Sequence, residues 1–538
     1  MSSTAMIINV INTGGTISCV GDPLAPMSAQ EFAQACQTIL DPIISQRFPD
    51  LQLVYVTDLV FPESPTGTLD STNLQPTDWC LMAQYILQHY AECDGWIVLH
   101  GTDTMGFTGT ALPFLLSSFS AKGVGTAVLS KPVILTGSQV PMFYEAAASD
   151  APLILNYNTD AFQNFCGAAA AVQTGIPEVC IYFDAKLLRG NRSIKTDANH
   201  FDAFSSPNFP ALGLNGMALE LNTAVVLPPP VSPSVSLDDP AVRERALGLV
   251  EHVTANINRF PVMQFNAFPA WYNSAAPGAA LIGSLLNACI AQDIKGLVLE
   301  SYGAGNFPSG NPSQPSEGAI YQALASANAQ GVVIVDCTQV LRGVVNDSAY
   351  AAGSWLAEVG ALGALDMTPV TALAKLMLLL TLAEHPDNAW TPAQVKQLLQ
   401  LNLLGEVLQV SRLDSRVNPV LLPGQTLGAL DGSATLVNDP VLGPQLRNSS
   451  GQLLWSASAD LPSQQMPGRL TVNNDGTLVF QGRNGTTLWS APCGGPDGHP
   501  SMLVVDGSAK DGSLSLSVLD YVTGTSCALY VQGGVLTA

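Results

Sequence analysis

One repeating unit constrains this chain more than any other feature. A wholly apolar run of about five or six residues stops at small hydroxyl, amide or carboxylate residues, and a helix-like segment follows. "MIINVI" (6–11) stops at "NTGGTI", and "GWIVLH" (95–100) stops at "GTDTM". "KPVILTG" (131–137) runs into "SQVP", and "GLVLES" (296–301) into "YGAGN". A strand without a polar face is buried on both sides, so this alternation predicts parallel sheets covered by helices. In such sheets a ligand lies beyond the carboxyl ends of the strands. Strands that all end in polar groups therefore predict a shared site and not a set of unrelated turns.

The expected fold class is α/β, with a further all-β part. The alternation predicts a first α/β domain over residues 1–225. The prolines of "VLPPPVSPSVSLDDP" (226–240) predict an extended linker, placed at 226–258. Alternation resumes over 259–405, a second and smaller α/β domain. Over 417–538 helical periodicity gives way to short β-type runs between Gly, Asn, Asp and Ser turns, which predicts an all-β module. There "LLWSAS" (453–458) returns as "TLWSAP" (487–492), a sign of internal repetition.

Composition excludes several function classes. Twenty Lys+Arg stand against 42 Asp+Glu, a net charge of −22, so the basic surface that nucleic acid or an anionic membrane requires is missing. The most apolar segment, "LMLLLTLAEH" (376–385), is too short to span a bilayer and reads as a core helix. The first residues lack a basic region and lead straight into the glycine turn, so they read as a strand and not a signal peptide. A cytoplasmic protein is the expectation. The ten cysteines show no zinc-type spacing, and no metal site is expected. Cys493 and Cys527 are placed to bridge if the C-terminal part meets an oxidising compartment.

The polar strand ends carry the candidate chemistry. Thr13 and Thr102 offer hydroxyl nucleophiles, and Asp103 adds a carboxylate beside Thr102. A threonine hydroxyl needs a base or a lysine to take its proton, and Lys195 in "RGNRSIKTDANHFDAF" (189–204) is a candidate. Thr, Lys and Asp together make an acyl-transfer group, with amides of the glycine turn as candidate oxyanion donors. His100, just before "GTD", reads as a strand-terminal histidine satisfied by hydrogen bonds.

"NTGGTI", "LHGTDTM", "KPVILTGSQVP", "RGNRSIKTDANHFDAFSSPN", "ESYGAGNFP" and "DMTPVTALAKL" occur in this order. Together they closely resemble the bacterial-type L-asparaginases, in particular the cytoplasmic type I branch, over residues 5–405. The resemblance implies a two-domain amidohydrolase that works as a homodimer or homotetramer without a cofactor and cleaves the side-chain amide of L-asparagine. It implies Thr13 as nucleophile, Thr102 and Lys195 as the second threonine and its proton-relaying lysine, and Asp103 as the group holding the substrate's α-amino group. It places Ser71, with Thr72 beside it, at the α-carboxylate and Ser138 facing the amide. A glutaminase or another small-amide hydrolase is the close alternative, and a carbohydrate- or surface-binding protein with a catalytically weak asparaginase scaffold is the rival from another class. Two departures stand out. The loop "SCVGDPLAPMSAQEF" (18–32) lacks the tyrosine that the family carries near its nucleophile, and Ala304 stands where periplasmic members have an asparagine.

The segments "LLPGQTLGALDG" (421–432) and "LTVNNDGTLVFQGRNGTTLWSA" (470–491) are similar to the bulb-type mannose-binding lectin domain, a β-prism. Its sugar-binding pattern, Q-x-D-x-N-x-V-x-Y, maps onto Asn473, Asp475, Thr477, Val479 and Gln481, of which the aspartate and valine match. The resemblance makes a glycan a candidate ligand there. The bland reading is that Asn-Asp-Gly is a hairpin turn and that Trp455 and Trp489 are core.

Overall fold

The computed structural model describes residues 5–145, 153–223, 225–227, 229–230, 232–276, 279–345, 351–407, 412–415, 419–429, 432–458, 460–491, 493, 499–520, 523 and 525–533. The chain forms two compact units, one of Met1–Lys122 with Thr126–Leu399 and one of Gly123–Gly125 with Gln400–Ala538.

The first unit holds both α/β parts. Its larger sheet has eight strands: β1 (Met6–Asn12), β2 (Leu51–Tyr55), β3 (Gly95–Leu99), β4 (Val133–Thr136), β5 (Val179–Phe183), β6 (Lys186–Arg189), β7 (Gly213–Asn215) and β8 (Leu219–Leu221). In space they run β8-β7-β6-β5-β4-β3-β1-β2. The five strands from β2 to β5 are parallel to their neighbours. Their apolar runs are buried throughout at the centre, where Trp96, Ile97, Val98 and Leu99 are all 0% exposed.

The sheet is mixed, not parallel throughout as the alternation predicted, because β6, β7 and β8 return antiparallel. The cause is local. Phe183 pairs with Lys186 across Asp184 and Ala185, whose φ angles are 45° and 60°. Two residues in the left-handed region make a tight hairpin whose twist matches an antiparallel pair.

The smaller sheet is parallel throughout, in the order β9 (Val262–Asn266), β10 (Gly296–Ser301), β11 (Val333–Thr338) and β12 (Leu362–Gly363). The expected linker at 226–258 is corrected. Pro240–Asn256 is a helix, with Asp239 accepting from the amides of Ala241 and Val242 as its cap. Val242, Ala246, Val250 and Val253 are buried, a helical spacing that the preceding prolines mask in the sequence. The stretch before it is also held, since the Val128 amide donates to Val235 O at 2.7 Å and the Leu237 amide to Val128 O at 3.1 Å.

The second unit contains three four-stranded antiparallel sheets around one apolar core. In each, a register shift separates the third and fourth strands. Leu446, Phe480 and Leu516 lie opposite Trp455, Trp489 and Tyr530 at that place. The repeat is therefore threefold, and its third copy carries tyrosine where the first two carry tryptophan. Trp455 and Trp489 pack edge to face at 5.7 Å against the core. Cys493 and Cys527 form a disulfide, and the other eight cysteines are free thiols. Among the described residues no helix is long and apolar enough to cross a membrane.

Phe480, 0% exposed, fills the centre of the core of the second unit. Phe480→Ala should destabilise that unit by about 3–5 kcal/mol, read from the denaturant midpoint of its unfolding.

Candidate active site

Strands β1, β3 and β4 are neighbours, and their ends are level: Asn12 pairs with Leu99, and Leu99 with Thr136. The ladder continues one step further. The Thr13 amide donates to Leu99 O at 2.9 Å and the His100 amide to Thr136 O at 2.8 Å. The Leu69 amide donates to Thr13 O at 2.7 Å, and the Gly15 amide donates to Leu69 O at 3.1 Å. These bonds bring the segments after β1, β3 and β4 to one edge, together with the loop at 69–71. The approach requires glycine. A Cβ on Gly15, which has φ 77°, would lie 2.3 Å from Gly101 Cα, and one on Gly101 would lie 2.5 Å from Ser71 Oγ. One on Gly137 would meet His100 O at 2.2 Å.

Thr13 is fully buried, and its hydroxyl donates to Leu99 O at 3.0 Å. Beyond β3, Lys195 Nζ donates to Thr102 Oγ1 at 2.8 Å and to Asp103 Oδ1 at 2.7 Å. Thr102 is buried, Lys195 is 22% exposed and Asp103 is 58% exposed. The triad thus runs from a buried hydroxyl to an open carboxylate. Lys195 lies on a short strand, Ile194–Lys195, paired with Phe204–Ser205.

Ser71 is 2% exposed, and its carbonyl accepts from Thr104 Oγ1 at 2.8 Å. Thr72 is engaged by Asp70, which accepts from its amide at 2.9 Å and from its hydroxyl. The Ser138 hydroxyl donates to Val140 O at 2.7 Å. The sequence reading missed Asp70 and Thr104, although an aspartate before Ser-Thr is a recognisable cap. It also missed Asp160, which accepts from the amides of Gln139 and Val140 and so shapes the loop of Ser138. Nothing local in "NTDAF" announces that role.

Two expectations change here. The amides of Thr13, Gly14 and Gly15 donate to Leu99 O, Asn12 Oδ1 and Leu69 O, so these three are already bonded. The turn at Tyr302–Asn306 closes on itself at the end of β10 and so belongs to the other sheet. In the lid loop Cys19 is no substitute for the missing tyrosine. Its thiol donates to Gly15 O, and burial and then the Asp70 charge push its pKa up to about 11.

The sugar-binding pattern lies on one hairpin of the second unit. Asp475 Oδ1 accepts from the Thr477 amide at 2.8 Å and hydroxyl at 2.6 Å, and Asn473 donates to Thr477 Oγ1 at 2.8 Å. Gln481 accepts from Arg469. These polar groups are committed to the turn and the strand pair. Among the described residues no group of three or more His, Cys, Asp or Glu side chains is arranged to hold a metal ion.

Two family models match the chain: "Asparaginase, N-terminal" over residues 7–226 and "Glutaminase/Asparaginase C-terminal domain" over residues 278–390. The chain is 30% identical to L-asparaginase 1 of Escherichia coli K12 over 402 residues, which cover 74% of this chain and 97% of that protein. It is 31% identical over 443 residues to the 60 kDa lysophospholipase of Mus musculus, covering 78% and 67% respectively. Among solved structures, L-asparaginase I from Vibrio cholerae superposes with a TM-score of 0.53 at 27% identity, over 75% of this chain and 99% of that one.

His100 is 0% exposed. Its Nδ1–H donates to Gly101 O at 2.7 Å, and Nε2 lies 2.8 Å from Thr108 Oγ1, from which it accepts. Burial lowers its pKa from 6.5 to about 4, although the bond to Gly101 opposes this. The unfolded chain therefore binds a proton that the folded chain refuses. This contribution is complete above pH 6.5 and is lost as pH falls from 6.5 through about 4. Up to about 3 kcal/mol should disappear over that window, and His100→Gln should flatten this part of the stability–pH profile in urea titrations.

Proposed function

The chain belongs to the asparaginase family of amidohydrolases, and from that premise we propose that it hydrolyses L-asparagine to L-aspartate and ammonia with Thr13 as nucleophile. The observation that carries this reading is the contact of Lys195 Nζ with both Thr102 Oγ1 and Asp103 Oδ1, just past the end of β3, the neighbour of the strand that Thr13 follows. Thr13 Oγ gives up its proton and bonds to the amide carbon, the C–N bond breaks, and the nitrogen takes up one proton by way of Thr102 and Lys195, in net balance the one that Thr13 lost, and leaves as ammonia. Water then cleaves the ester and restores the Thr13 hydroxyl. Attack requires the Thr13 hydroxyl to turn away from Leu99 O.

Asp103, open to solvent, takes the substrate's α-amino group. Ser71 takes its α-carboxylate, and Ser138 lies at the loop facing the amide. Thr72, beside Ser71, donates its amide and hydroxyl to Asp70 and so braces this part of the substrate site. A cytoplasmic homodimer or homotetramer is the assembly that goes with this reading. The second unit is a lectin-like β-prism appended to the hydrolase, its threefold repeat supporting that reading. Its affinity for mannose is low, because the polar groups of the pattern are already bonded to one another.

Thr13→Ala should lower ammonia release from L-asparagine at least about 10³-fold in a protein that remains folded by circular dichroism, as expected for loss of a nucleophile. Wild-type rates in that variant would exclude Thr13. The same coupled assay with L-glutamine separates the two amide substrates. For the second unit, calorimetric titration with mannose should show no binding tighter than millimolar. A micromolar isotherm abolished by Asp475→Ala would overturn the assignment.

A further inference from the structure

The motif "DMTPVTALAKL" (366–376) has no part in the chemistry so far, yet its first residue is tied to the loop that carries Lys195. Arg192 Nη1 donates to Asp366 Oδ2 at 2.6 Å, with side chains only 3% and 1% exposed. Arg192 lies three residues before Lys195, and Asp366 just precedes helix Pro369–Ala383 of the second α/β part.

Both ends of this ion pair are fixed. On the Asp366 side, Thr368 caps the helix through the Thr371 amide at 3.1 Å. On the Arg192 side, the guanidinium lies 5.0 Å from the centroid of the Phe209 ring, and Arg192 O accepts from Ser206 Oγ at 3.1 Å. Uncharged bonds run parallel to it. Thr371 Oγ1 donates to Asn191 O at 2.8 Å, and Asn208 Nδ2 donates to Asp366 O at 3.3 Å. The turn Gly190–Arg192 has no freedom to drift, since a Cβ on Gly190 would meet Gly109 O at 2.3 Å. The short hairpin bearing Lys195 thus springs from a base clamped to the other sheet's domain.

We propose that Asp366 is a positioning residue for Lys195: through the buried pair with Arg192, the second α/β domain sets where the ammonium meets Thr102 and Asp103. This rests on the hydrolytic reading of the Thr102–Lys195–Asp103 triad above. Removing either partner deletes the charged bond that ties the turn before Lys195 to the segment before helix Pro369–Ala383. The hairpin base then relaxes, and a relay that works within hydrogen-bond distance loses efficiency far more than substrate binding does.

The test is a double-mutant cycle on the full chain, using ammonia release from L-asparagine with kcat and KM measured separately and thermal unfolding alongside. Asp366→Asn should lower kcat about 10–100-fold with KM changed less than about 2-fold. In a Lys195→Ala background the same substitution should lower kcat less than about 2-fold further, because its effect is exerted through the lysine. Arg192→Lys, which keeps the charge but loses the planar fork, should repeat the pattern with a smaller loss. It carries the comparison if Asp366→Asn does not fold. Losses that multiply in the double variants, or wild-type kcat in both single variants, would overturn the positioning role. Wild-type turnover in Lys195→Ala alone would instead strike down the hydrolytic reading, and the positioning role with it.

Discussion

The candidate site depends on how closely three parallel strands let their ends approach. Beyond β1, β3 and β4, backbone packs on backbone at Gly15 against Gly101 and at Gly137 against His100. No side chain fits between them, so Thr13, Ser71 and Thr102 are gathered at one edge without any flexible arm having to reach across. The cost is conformational. Gly14 and Gly15 hold φ angles of 113° and 77°, which residues with a Cβ rarely adopt. The return is a buried Thr13 whose position is dictated by the sheet ladder itself.

Electrostatics is arranged around this edge in two layers. At the centre, burial keeps His100 neutral with its proton on Nδ1, bonded to Gly101 O, so no competing positive charge forms beside the glycine turn. Further out, two buried ion pairs stand close together. Glu178 with Arg189, and Asp366 with Arg192, flank Phe209, whose ring centroid lies 4.7 Å and 5.0 Å from the two guanidinium carbons. Such pairs contribute little net stability, and their short, directional bonds fix the geometry of the segments they join. Both arginines precede the lysine hairpin and anchor the chain that leads into it, where precision matters for proton transfer.

The second unit follows a different logic. Its three sheets repeat one arrangement, with a register shift and an aromatic residue at the equivalent place in each. Two tryptophans made the repeat visible in the sequence, and Tyr530 hid its third copy. Polar residues that resemble a sugar-binding pattern serve the hairpin from Asn473 to Thr477 instead, where Asp475 stabilises the turn. Short polar side chains in tight turns satisfy nearby amides first, so a pattern match on a hairpin is weak support for a ligand.

Much of this was legible in the primary structure, for physical reasons that can be named. Apolar runs without a polar face required buried parallel strands, and polar residues at their ends placed Thr13, Thr102, Asp103 and Ser138 on one edge of a sheet. The antiparallel half of the sheet was not legible, because it turns on two residues, Asp184 and Ala185, whose left-handed backbone leaves no compositional trace. The helix at 240–256 was hidden behind the prolines that precede it. Residue types and local spacing determine which side chains reach a strand end. Only the tertiary structure decided that Lys195 meets Thr102 and Asp103, that the glycine-turn amides are already bonded, and that Arg192 finds Asp366, since these contacts join segments far apart in the chain and depend on how the sheets and loops pack.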